Sequence, residues 1–500
     1  MYHSRNTICA LLLTVAALLG CSQREDIDVA NNDGVGERGE ATVVFRLQTN
    51  GLASLATRSA EDSYVHVQGT ADEYQVNNAR VYLFDAPTKL FVKSVLLTGL
   101  TRTGSDASGN IVYEAEHVSV PQGTYDIFVT ANTGRVIDKK TEAAFLADID
   151  SATYVQGLVG DISGGVVMTN RASENTGVVI VNNTNNDDNV VSISLERVLA
   201  RLDVAKASDS FQLTDDQNRL YATVTLDGYY IVNLARYYYS YRHAAVLTNL
   251  TEPSWNINEH FGDVNDVNGY VIDPDFFKKT INAAGFTNSD KYYEHFFGDY
   301  SNPKAVEWTG FKPAGETPQY QTSYCLENCA LAQAQKNGYS TGVIFRAKLE
   351  PYNSVYHLAA DGTLELLTDK SRYPEVLYYF NYKFYDSAEA LASVIGVSSF
   401  TNSDLDMYQA RKFEKDDDGY HCYYNYWIRH LDNYKATLMG VMEFGIVRNN
   451  LYRMLITNVS GLGHYDLPVD TDTPDEGETY LKVVLNVKPW IVRDQTNIVL

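Results

Sequence analysis

The sequence predicts a mainly β protein that is large enough for two domains, and three observations support this prediction. The chain has 500 residues, which exceeds one ordinary domain and suits two. It contains 37 Tyr and 33 Gly, and tyrosine is enriched in strands whereas glycine is enriched in the turns between them. Apolar and polar residues alternate in many short runs, which is the pattern of half-buried strands. Few runs have a helical period, so we expect only a few short helices.

The charge balance excludes one broad class of function. The chain has 40 Lys+Arg against 63 Asp+Glu, a formal net charge of -23. Nucleic-acid phosphates repel such a chain at every encounter. Past the N-terminal region no segment is apolar over the ~20 residues that a membrane span needs. The composition therefore argues against a nucleic-acid binder and against a multipass membrane protein.

The N-terminus predicts an exported lipoprotein. An apolar run from Ile8 to Leu19 has the length of a signal-peptide core and ends in Leu18-Leu19-Gly20-Cys21. This ending resembles a bacterial lipobox, in which the cysteine thiol carries the lipid. We predict a signal peptide over residues 1–20 and lipidation, with palmitate, at Cys21. A plain secretory signal with an incidental cysteine is the alternative.

The first predicted strand follows a polar, acidic tether. Residues 41–49 alternate, with Val43, Phe45 and Leu47 on one face. A loop of small residues follows and contains Thr57, Arg58 and Ser59. The strand and the tether before it form a separate arm over residues 21–58.

Further strands and three helices are predicted along the rest of the chain. Residues 190–205 fit both a helical and a strand period, and we favour two strands because the flanking runs are β-rich. A polar stretch at 208–217 marks a second domain, which divides the chain into domains at 59–207 and 208–465. The predicted helices are Asp138–Asp148, Leu326–Lys336 and Ser387–Val394.

The C-terminal region, residues 466–500, combines an acidic linker with apolar strand-forming segments. Asp466–Glu478 contains six acidic residues, no basic residue and two prolines, which predicts an extended linker. An alternating strand follows, and the last residues are again apolar. The apolar residues of the region are Leu481, Val483, Leu485, Val487, Trp490, Ile498 and Leu500.

Candidate catalytic and metal sites are weak. Ser340 lies in a G-x-S-x-G pattern, but the expected strand–turn–helix order is reversed, so a simple turn is favoured. Cys325, Cys329 and Cys422 are three thiols without a suitably placed histidine for a zinc site, since none is near Cys325 or Cys329, and one disulfide with a leftover thiol is favoured in an exported chain. The calcium-like runs Asp263–Asp275 and Asp416–Gly419 miss the EF-hand register. We therefore expect no catalytic residues, no metal and no cofactor.

Two further patterns have a structural and a functional interpretation. Glu259-His260 and Glu294-His295 begin similar segments, which suits paired metal ligands less well than two turn-rich loops. Tyr423 and Trp427 lie in an aromatic run that stacks on sugars in some proteins but more often packs a β-sandwich.

Several segments of the sequence together resemble the fimbrillins, the major fimbrial subunits of Bacteroidales type V pili. They include the lipobox, the Val43–Leu47 strand leading to Thr57-Arg58-Ser59, and Val198-Leu-Ala-Arg201-Leu-Asp-Val204. Near the C-terminus they include Val447–Tyr452, Ile456–Gly463 and Val483–Trp490. The sequence is most similar to the shaft subunit of the short (minor) fimbria. Residues 242–318 carry little that matches.

The resemblance implies a two-domain β-sandwich of transthyretin-like type, without enzymatic activity. It implies that an Arg-specific protease removes the lipidated arm with its first strand, and that a C-terminal strand of the next subunit fills the groove. We place the cut between Arg58 and Ser59, since Arg46 lies within the strand and a cut at Arg38 would leave the strand attached. Whether Leu481–Val487 or the last ten residues insert stays open.

The sequence thus predicts a shaft subunit of a cell-surface fimbria, an outer-membrane lipoprotein as precursor. The implied partners are further copies of the chain in a head-to-tail polymer, the protease, anchor and tip subunits, and host or bacterial adhesion receptors. The alternatives are an anchor or tip accessory subunit, and a surface glycan-binding lipoprotein or glycosidase.

Overall fold

The computed structural model describes most of the chain between Arg38 and Pro489. The described residues are 38–49, 70–106, 110–152, 154–155, 158–159, 162, 164–182, 189–246, 269–281, 292–294, 306–430, 439–440, 442–467, 472–475 and 481–489. Below, the N-terminal half means described residues up to 197, and the C-terminal half means those from 200 onward.

The strands of the N-terminal half are separated mainly by short turns. They are β1 (Glu40–Thr49), β2 (Ala79–Asp85), β3 (Phe91–Leu97), β4 (Thr101–Ser105), β5 (Ile111–Glu114), β6 (Val118–Pro121), β7 (Gly123–Ala131), β8 (Ile149–Ser151), β9 (Tyr154–Val155), β10 (Leu158–Val159), β11 (Met168–Thr169), β12 (Val178–Ile180) and β13 (Asn189–Arg197).

The C-terminal half continues the same kind of structure. Its strands are β14 (Ala200–Lys206), β15 (Ser210–Thr214), β16 (Leu220–Val232), β17 (Tyr237–Tyr239), β18 (His243–Val246), β19 (Gly269–Ile272), β20 (Thr309–Gly310), β21 (Gln321–Cys325), β22 (Gly342–Pro351), β23 (Val355–Leu358), β24 (Leu364–Leu366), β25 (Val376–Phe380), β26 (Lys383–Tyr385), β27 (Arg411–Asp416), β28 (Gly419–Trp427), β29 (Asn450–Val459) and β30 (Leu481–Pro489).

The strands form one ten-stranded sheet in each half, which confirms the mainly β fold. The N-terminal sheet has the order β3-β2-β7-β11-β13-β1-β5-β4, with β12 beside β7 and β6 beside β1. The C-terminal sheet has the order β15-β16-β22-β28-β27-β25-β26-β23-β24, with β20 beside β16. A four-stranded sheet, β21-β14-β29-β30, belongs to the C-terminal half.

The ambiguous stretch around residue 198 is two strands, as favoured from the sequence. β13 lies in the N-terminal sheet, whereas β14 pairs with β21 and β29. Sheet membership therefore changes at Val198-Leu199. The sequence also predicts strands at Ala79–Phe84, Phe91–Leu97 and Tyr125–Ala131, which are present within two residues as β2, β3 and β7. The predicted strands Ile111–Val120 and Leu377–Phe384 are each two strands in the structure.

The helices are few and short. They are α1 (Glu142–Leu146), α2 (Phe276–Ile281) and α3 (Ala388–Ile395). The α3 prediction is confirmed, and that helix begins at a Ser387 cap and ends at Gly396 in the left-handed conformation. The α1 prediction was too long at both ends.

The predicted helix Leu326–Lys336 is wrong. Within it the structure has one 3-10 turn, Ala332–Ala334. The segment instead pairs its backbone with its surroundings, since Asn328 and Ile446 form a β-bridge with N–O distances of 3.0 and 2.9 Å. Tertiary pairing outweighs the helix propensity of its Ala and Gln residues.

One apolar core cluster extends through both halves. It contains side chains from β1, β13 and β14 as well as from β16, β22 and β29. Smaller clusters cover the outer faces of the sheets, one of them formed by Phe84, Phe128 and Phe145 with Tyr241 from the C-terminal half. No helix among the described residues is both long enough and apolar enough to cross a membrane.

Candidate functional site: a groove filled by the first strand

The first strand occupies the middle of the N-terminal sheet. On one side β1 runs parallel to β13, from the pair Val43–Asn189 to the pair Thr49–Leu195. On the other side it runs antiparallel to β6 and then β5, from Glu40–Pro121 to Thr49–Ile111. All of its neighbours come much later in the chain. The first described strand is therefore inserted between strands that follow it in sequence.

The predicted removable residues lie where the sequence placed them. Val43, Phe45 and Leu47 are each 0% exposed and belong to the large core cluster. Thr42 and Arg46, on the other face, are exposed. Burying an apolar side chain of this size contributes roughly 1.5–3 kcal/mol to the free energy of unfolding. The three side chains together therefore contribute substantially to the stability of the fold.

Polar contacts add little to what holds β1. Arg46 Nε lies 2.7 Å from Glu114 Oε2, and both side chains are more than a third exposed. Asn189 Nδ2 donates to the Thr42 carbonyl at 2.9 Å. Exposed ion pairs contribute only about 0–1 kcal/mol. The strand is therefore held mainly by its backbone ladder and its apolar face.

The two ends of the groove differ. At the Glu40 end, Gly39 and Glu40 are exposed. At the other end, Thr49 is 0% exposed and lies beside Leu195, the neighbour of Glu196 and Arg197. Those two residues bind the C-terminal half, as described next. The groove is therefore exposed at its Glu40 end, whereas its Thr49 end, below called the closed end, lies against the C-terminal half.

A buried charge network joins the two halves at the closed end. Arg201 Nη1 lies 3.0 Å from Glu73 Oε1, and Arg201 Nε lies 2.8 Å from Asp203 Oδ1. Tyr324 donates to Glu73 at 2.6 Å, and Arg453 reaches Asp203 at 3.1 Å. Glu73 and Asp203 are both fully buried. Glu73 lies just past the segment that contains the predicted cut.

Two neighbouring contacts complete this junction. Glu196 receives Arg242 at 3.0 Å, and Arg197 Nη1 donates to Asn449 at 3.2 Å. Sequence reasoning noted the 198–204 phrase but missed the network. The signal was present in Arg201 and Asp203, which are charged residues on the same face of a strand whose other residues, apart from Lys206, are apolar.

The C-terminal candidate strand is present as β30, at the edge of the four-stranded sheet. It pairs antiparallel with β29, from Val459–Leu481 to Asn450–Pro489. Leu481 is 5% exposed, Val483 and Leu485 are partly buried against the core, and Val484 is 42% exposed. The backbone of Val487 pairs with Tyr452. β30 is therefore a half-buried edge strand of its own chain.

The described part of the acidic segment lies against the protein. Thr473 accepts from the Asn337 amide at 3.0 Å, and Asp475 donates through its amide to Gln335 at 3.3 Å. The Asp475 carboxylate accepts from the Ser340 hydroxyl and is 3% exposed. Burial raises its pKa well above the ordinary range, against the opposing effects of Ser340 and Arg429. Residues 472–475 therefore form an attachment point five residues before β30.

Four predicted sites lie outside the described residues. They are the lipidation residue Cys21, the cleavage pair Arg58 and Ser59, the donor candidates Trp490, Ile498 and Leu500, and the histidines His260 and His295. Both partners of the cut belong to residues 50–69, which connect the end of β1 to Thr70.

The enzymatic and glycan-binding alternatives find no support at their named residues. Ser340 is 3% exposed and hydrogen bonds to Asp475. Tyr423 and Trp427 are each 6% exposed, and Trp308 stacks on Tyr423 at a centroid distance of 5.8 Å. These rings are therefore packing residues and not an exposed platform for a sugar.

The cysteines and the Asp416–Gly419 loop are structural as well, whereas residues 263–268 of the other calcium-like run lie outside the described residues. Cys325, Cys329 and Cys422 are buried free thiols, so the disulfide expected from export is not formed among them. Cys325 and Cys422 lie in different sheets, on β21 and β28. The Asp416 carboxylate caps its own turn through the amides of Asp418 and Gly419, at 2.9 and 3.1 Å. Among the described residues no group of three or more potential ligands is arranged to hold a metal ion.

Comparisons with known proteins match both ends of the chain to one type of protein. Residues 41–197 match the family model "Major fimbrial subunit protein (FimA)". Residues 418–496 match the model "Major fimbrial subunit protein type IV, Fimbrillin, C-terminal". The first match spans β1 to β13, and the second includes β29 and β30. No curated protein matches the chain.

Solved structures give weaker likenesses. A fimbrilin (FimA) from Porphyromonas gingivalis has 16% identity and a TM-score of 0.42, covering 91% of this chain and 99% of its own. The tip fimbrial protein Mfa3 from the same species has 11% identity and a TM-score of 0.36, covering 90% and 100%.

Proposed function

We propose that this chain, a fimbrial subunit by both of its family matches, forms the shaft of a cell-surface fimbria by strand exchange between copies. The families matched are those of structural subunits and not of enzymes. The observation that carries the proposal is the position of β1. It is a central strand, yet it is the first described strand and is joined to the rest only through residues 50–69.

A cut within residues 50–69 would free β1 without breaking any other strand that the structure describes. Arg58 and Ser59 lie in this segment, and we propose that an Arg-specific protease hydrolyses the bond between them. The released arm would carry Val43, Phe45 and Leu47 with it, together with the lipid on Cys21. The subunit would then leave the outer membrane and enter the fimbrium.

Loss of β1 would leave a site that is chemically specific for another strand. β13 on one side and β5 with β6 on the other would present unpaired amides and carbonyls. Between them, the positions of three fully buried side chains would become apolar pockets at alternate residues. An extended apolar segment satisfies both requirements at once.

The C-terminal region of a second copy offers such a segment. In β30, Leu481, Val483 and Leu485 alternate, and as an edge strand β30 has one strand neighbour, β29. If β30 left its sheet, one ladder of backbone hydrogen bonds would break, whereas the loss of a central strand breaks two such ladders. The segment with Trp490, Ile498 and Leu500 is the other candidate donor. Because donor and groove lie on different parts of the chain, repeated exchange builds an open head-to-tail filament.

The remaining partners follow from the same assignment. A filament of this kind needs an anchor at the membrane and a subunit that ends it at the tip. Fimbriae act in adhesion to host or bacterial surfaces and in biofilms, and we propose this role for the assembled polymer.

Replacing Arg58 tests the proposal. We expect Arg58→Ala to keep its arm and to form no polymer, because β1 stays in the groove. Arg46→Ala is the matched control: it removes an exposed arginine inside β1 and should still be cut and polymerise normally. The readout is the ladder of polymers on a denaturing gel together with electron microscopy of the cell surface. Normal ladders from Arg58→Ala with the arm retained would contradict the proposal.

A further inference from the structure

Three exposed valines form an apolar patch on the outer face of the N-terminal sheet. Val179, Val181 and Val190 are 61%, 43% and 46% exposed. Val179 lies on β12, Val181 directly follows that strand, and Val190 lies on β13. Their neighbours Ile180 and Val191 are buried, so alternation places these valines on the outer face. They make up three of the five exposed large hydrophobic side chains that the structure describes in the N-terminal half, with Leu90 and Ile149. Below, the valine patch means these three residues.

The patch adjoins the start of the first strand. One side chain, Asn189, connects them, because its Nδ2 donates to the carbonyls of Val181 and Thr42, both at 2.9 Å. Val190 is the register partner of Val44 on β1. The patch therefore lies at the accessible, Glu40 end of the groove.

The shape of the groove decides from which end a second copy approaches. The Thr49 end is closed by the junction, where Glu196 and Arg197 bind Arg242 and Asn449 at 3.0 and 3.2 Å. A donor at the C-terminus of its own chain has its body before the strand. If the donor ran opposite to β1, that body would have to occupy the closed end. A donor that runs in the direction of β1, parallel to β13, places its body at the Glu40 end.

We propose that the valine patch is the docking surface for the body of the donor subunit. The donor subunit is a second copy of this chain, and its donor strand enters the groove parallel to β13. The inference rests on the proposed function, since it is the strand exchange that brings the second copy to this end. An apolar docking surface is also consistent with the net charge of the two copies. Each copy has a formal charge of -23, so long-range forces oppose association and contact between copies needs apolar area.

Introducing charge on the patch tests this role. The variant Val179→Asp/Val181→Asp, which leaves the groove strand β13 unchanged, is compared with Val394→Asp, which changes a 37% exposed valine on α3 in the other half of the molecule. Full-length chains are cut at Arg58, and polymerisation is followed by light scattering. Binding of a synthetic peptide with residues 481–500 reports separately on the groove. We expect wild-type peptide affinity but a polymerisation rate roughly tenfold lower for the patch variant, and no change for the control.

A second measurement is independent of how well the charged variant folds. Val179→Cys is labelled with a thiol reagent before and after polymerisation, with the buried native thiols as internal background. We expect fast labelling of the free subunit and protection in the polymer. Equal labelling in both states, or polymerisation of the charged variant at the wild-type rate, would contradict the proposal that the donor subunit docks on the valine patch. If the wild-type subunit itself binds no peptide, strand exchange fails, and the inference fails with it.

Discussion

At the scale of single residues, the arm is held by a few side chains whose burial the sequence already indicated. Val43, Phe45 and Leu47 alternate with polar residues, and the structure buries all three completely. The opposite is true of the charged residues at the junction. The sequence places Arg201 and Asp203 on one face of a strand, but only the folded chain brings Glu73 within 3.0 Å of Arg201.

Phe45→Ala should destabilise the precursor by about 3–5 kcal/mol, the usual cost of emptying a buried phenylalanine site. The same change should leave the mature subunit unaffected, because Phe45 departs with the arm. Thermal unfolding before and after cleavage at Arg58 measures both. Arg46→Ala, on the exposed face of the same strand, serves as the control and should change stability by less than about 1 kcal/mol. An equal loss in precursor and mature forms would show that the arm is not removed.

Glu142 should give the N-terminal half a distinctive pH dependence. Burial and the neighbouring Asp126 raise the pKa of Glu142 to about 7, although Lys89 opposes them. Its folded pKa thus exceeds its unfolded pKa, so the folded state binds more protons between these values. Its contribution to stability is therefore full below pH ~4.5 and is lost as the pH rises toward 7.

The test compares wild type with Glu142→Gln, which cannot titrate. Melting temperatures are measured from pH 4.5 to 8, and the difference between the two proteins isolates Glu142 from other titrating groups. We expect the difference to move in favour of the glutamine variant as the pH rises. A difference that does not change with pH would mean that Glu142 titrates near its ordinary pKa.

At the scale of secondary structure elements, strands were predicted well and one helix was not. Alternation in β1 and β13 follows directly from strands with one face in the core, so it is readable from the sequence. Leu326–Lys336 has helical composition but pairs its backbone with distant segments. Its structure depends on partners such as Ile446, which no local pattern reveals.

A disulfide between β29 and β30 should decide which C-terminal segment is the donor. Val484 is exposed and is the register partner of Leu455. In the double variant Leu455→Cys/Val484→Cys, the oxidised form should not polymerise if β30 must leave its own sheet, and reduction should restore assembly. Electron microscopy under both conditions is the readout, with each single variant as control. Polymerisation of the oxidised form would instead assign the exchange to the segment that contains Trp490, Ile498 and Leu500.

At the scale of the whole molecule, the junction is a series of buried ion pairs that connects the closed end of the groove to the C-terminal strands. Glu73 binds Arg201, Arg201 binds Asp203, and Asp203 binds Arg453 on β29, the neighbour of β30. The mainly β fold could be predicted from the sequence, and the resemblance to fimbrillins implied that the first strand fills a groove. The closed end of the groove and its direction could not be predicted, because they depend on how the halves pack.

Glu73→Gln should loosen this connection. The substitution removes one partner of a buried ion pair and leaves Arg201 without the countercharge of Glu73. We expect the free energy of unfolding to fall by about 3–5 kcal/mol. Limited proteolysis should then cut faster between the halves, with Glu365→Gln on the exposed strand β24 as the control. Unchanged stability and proteolysis would show that the network does not hold the halves together.

The most direct test of the central claim is the N-terminal sequence and intact mass of the protein in fimbriae sheared from cells. Our account predicts a chain that begins at Ser59, without lipid and without Glu40–Thr49. A chain that begins at lipidated Cys21, with β1 still attached, would contradict it and would make a membrane-anchored subunit the better description.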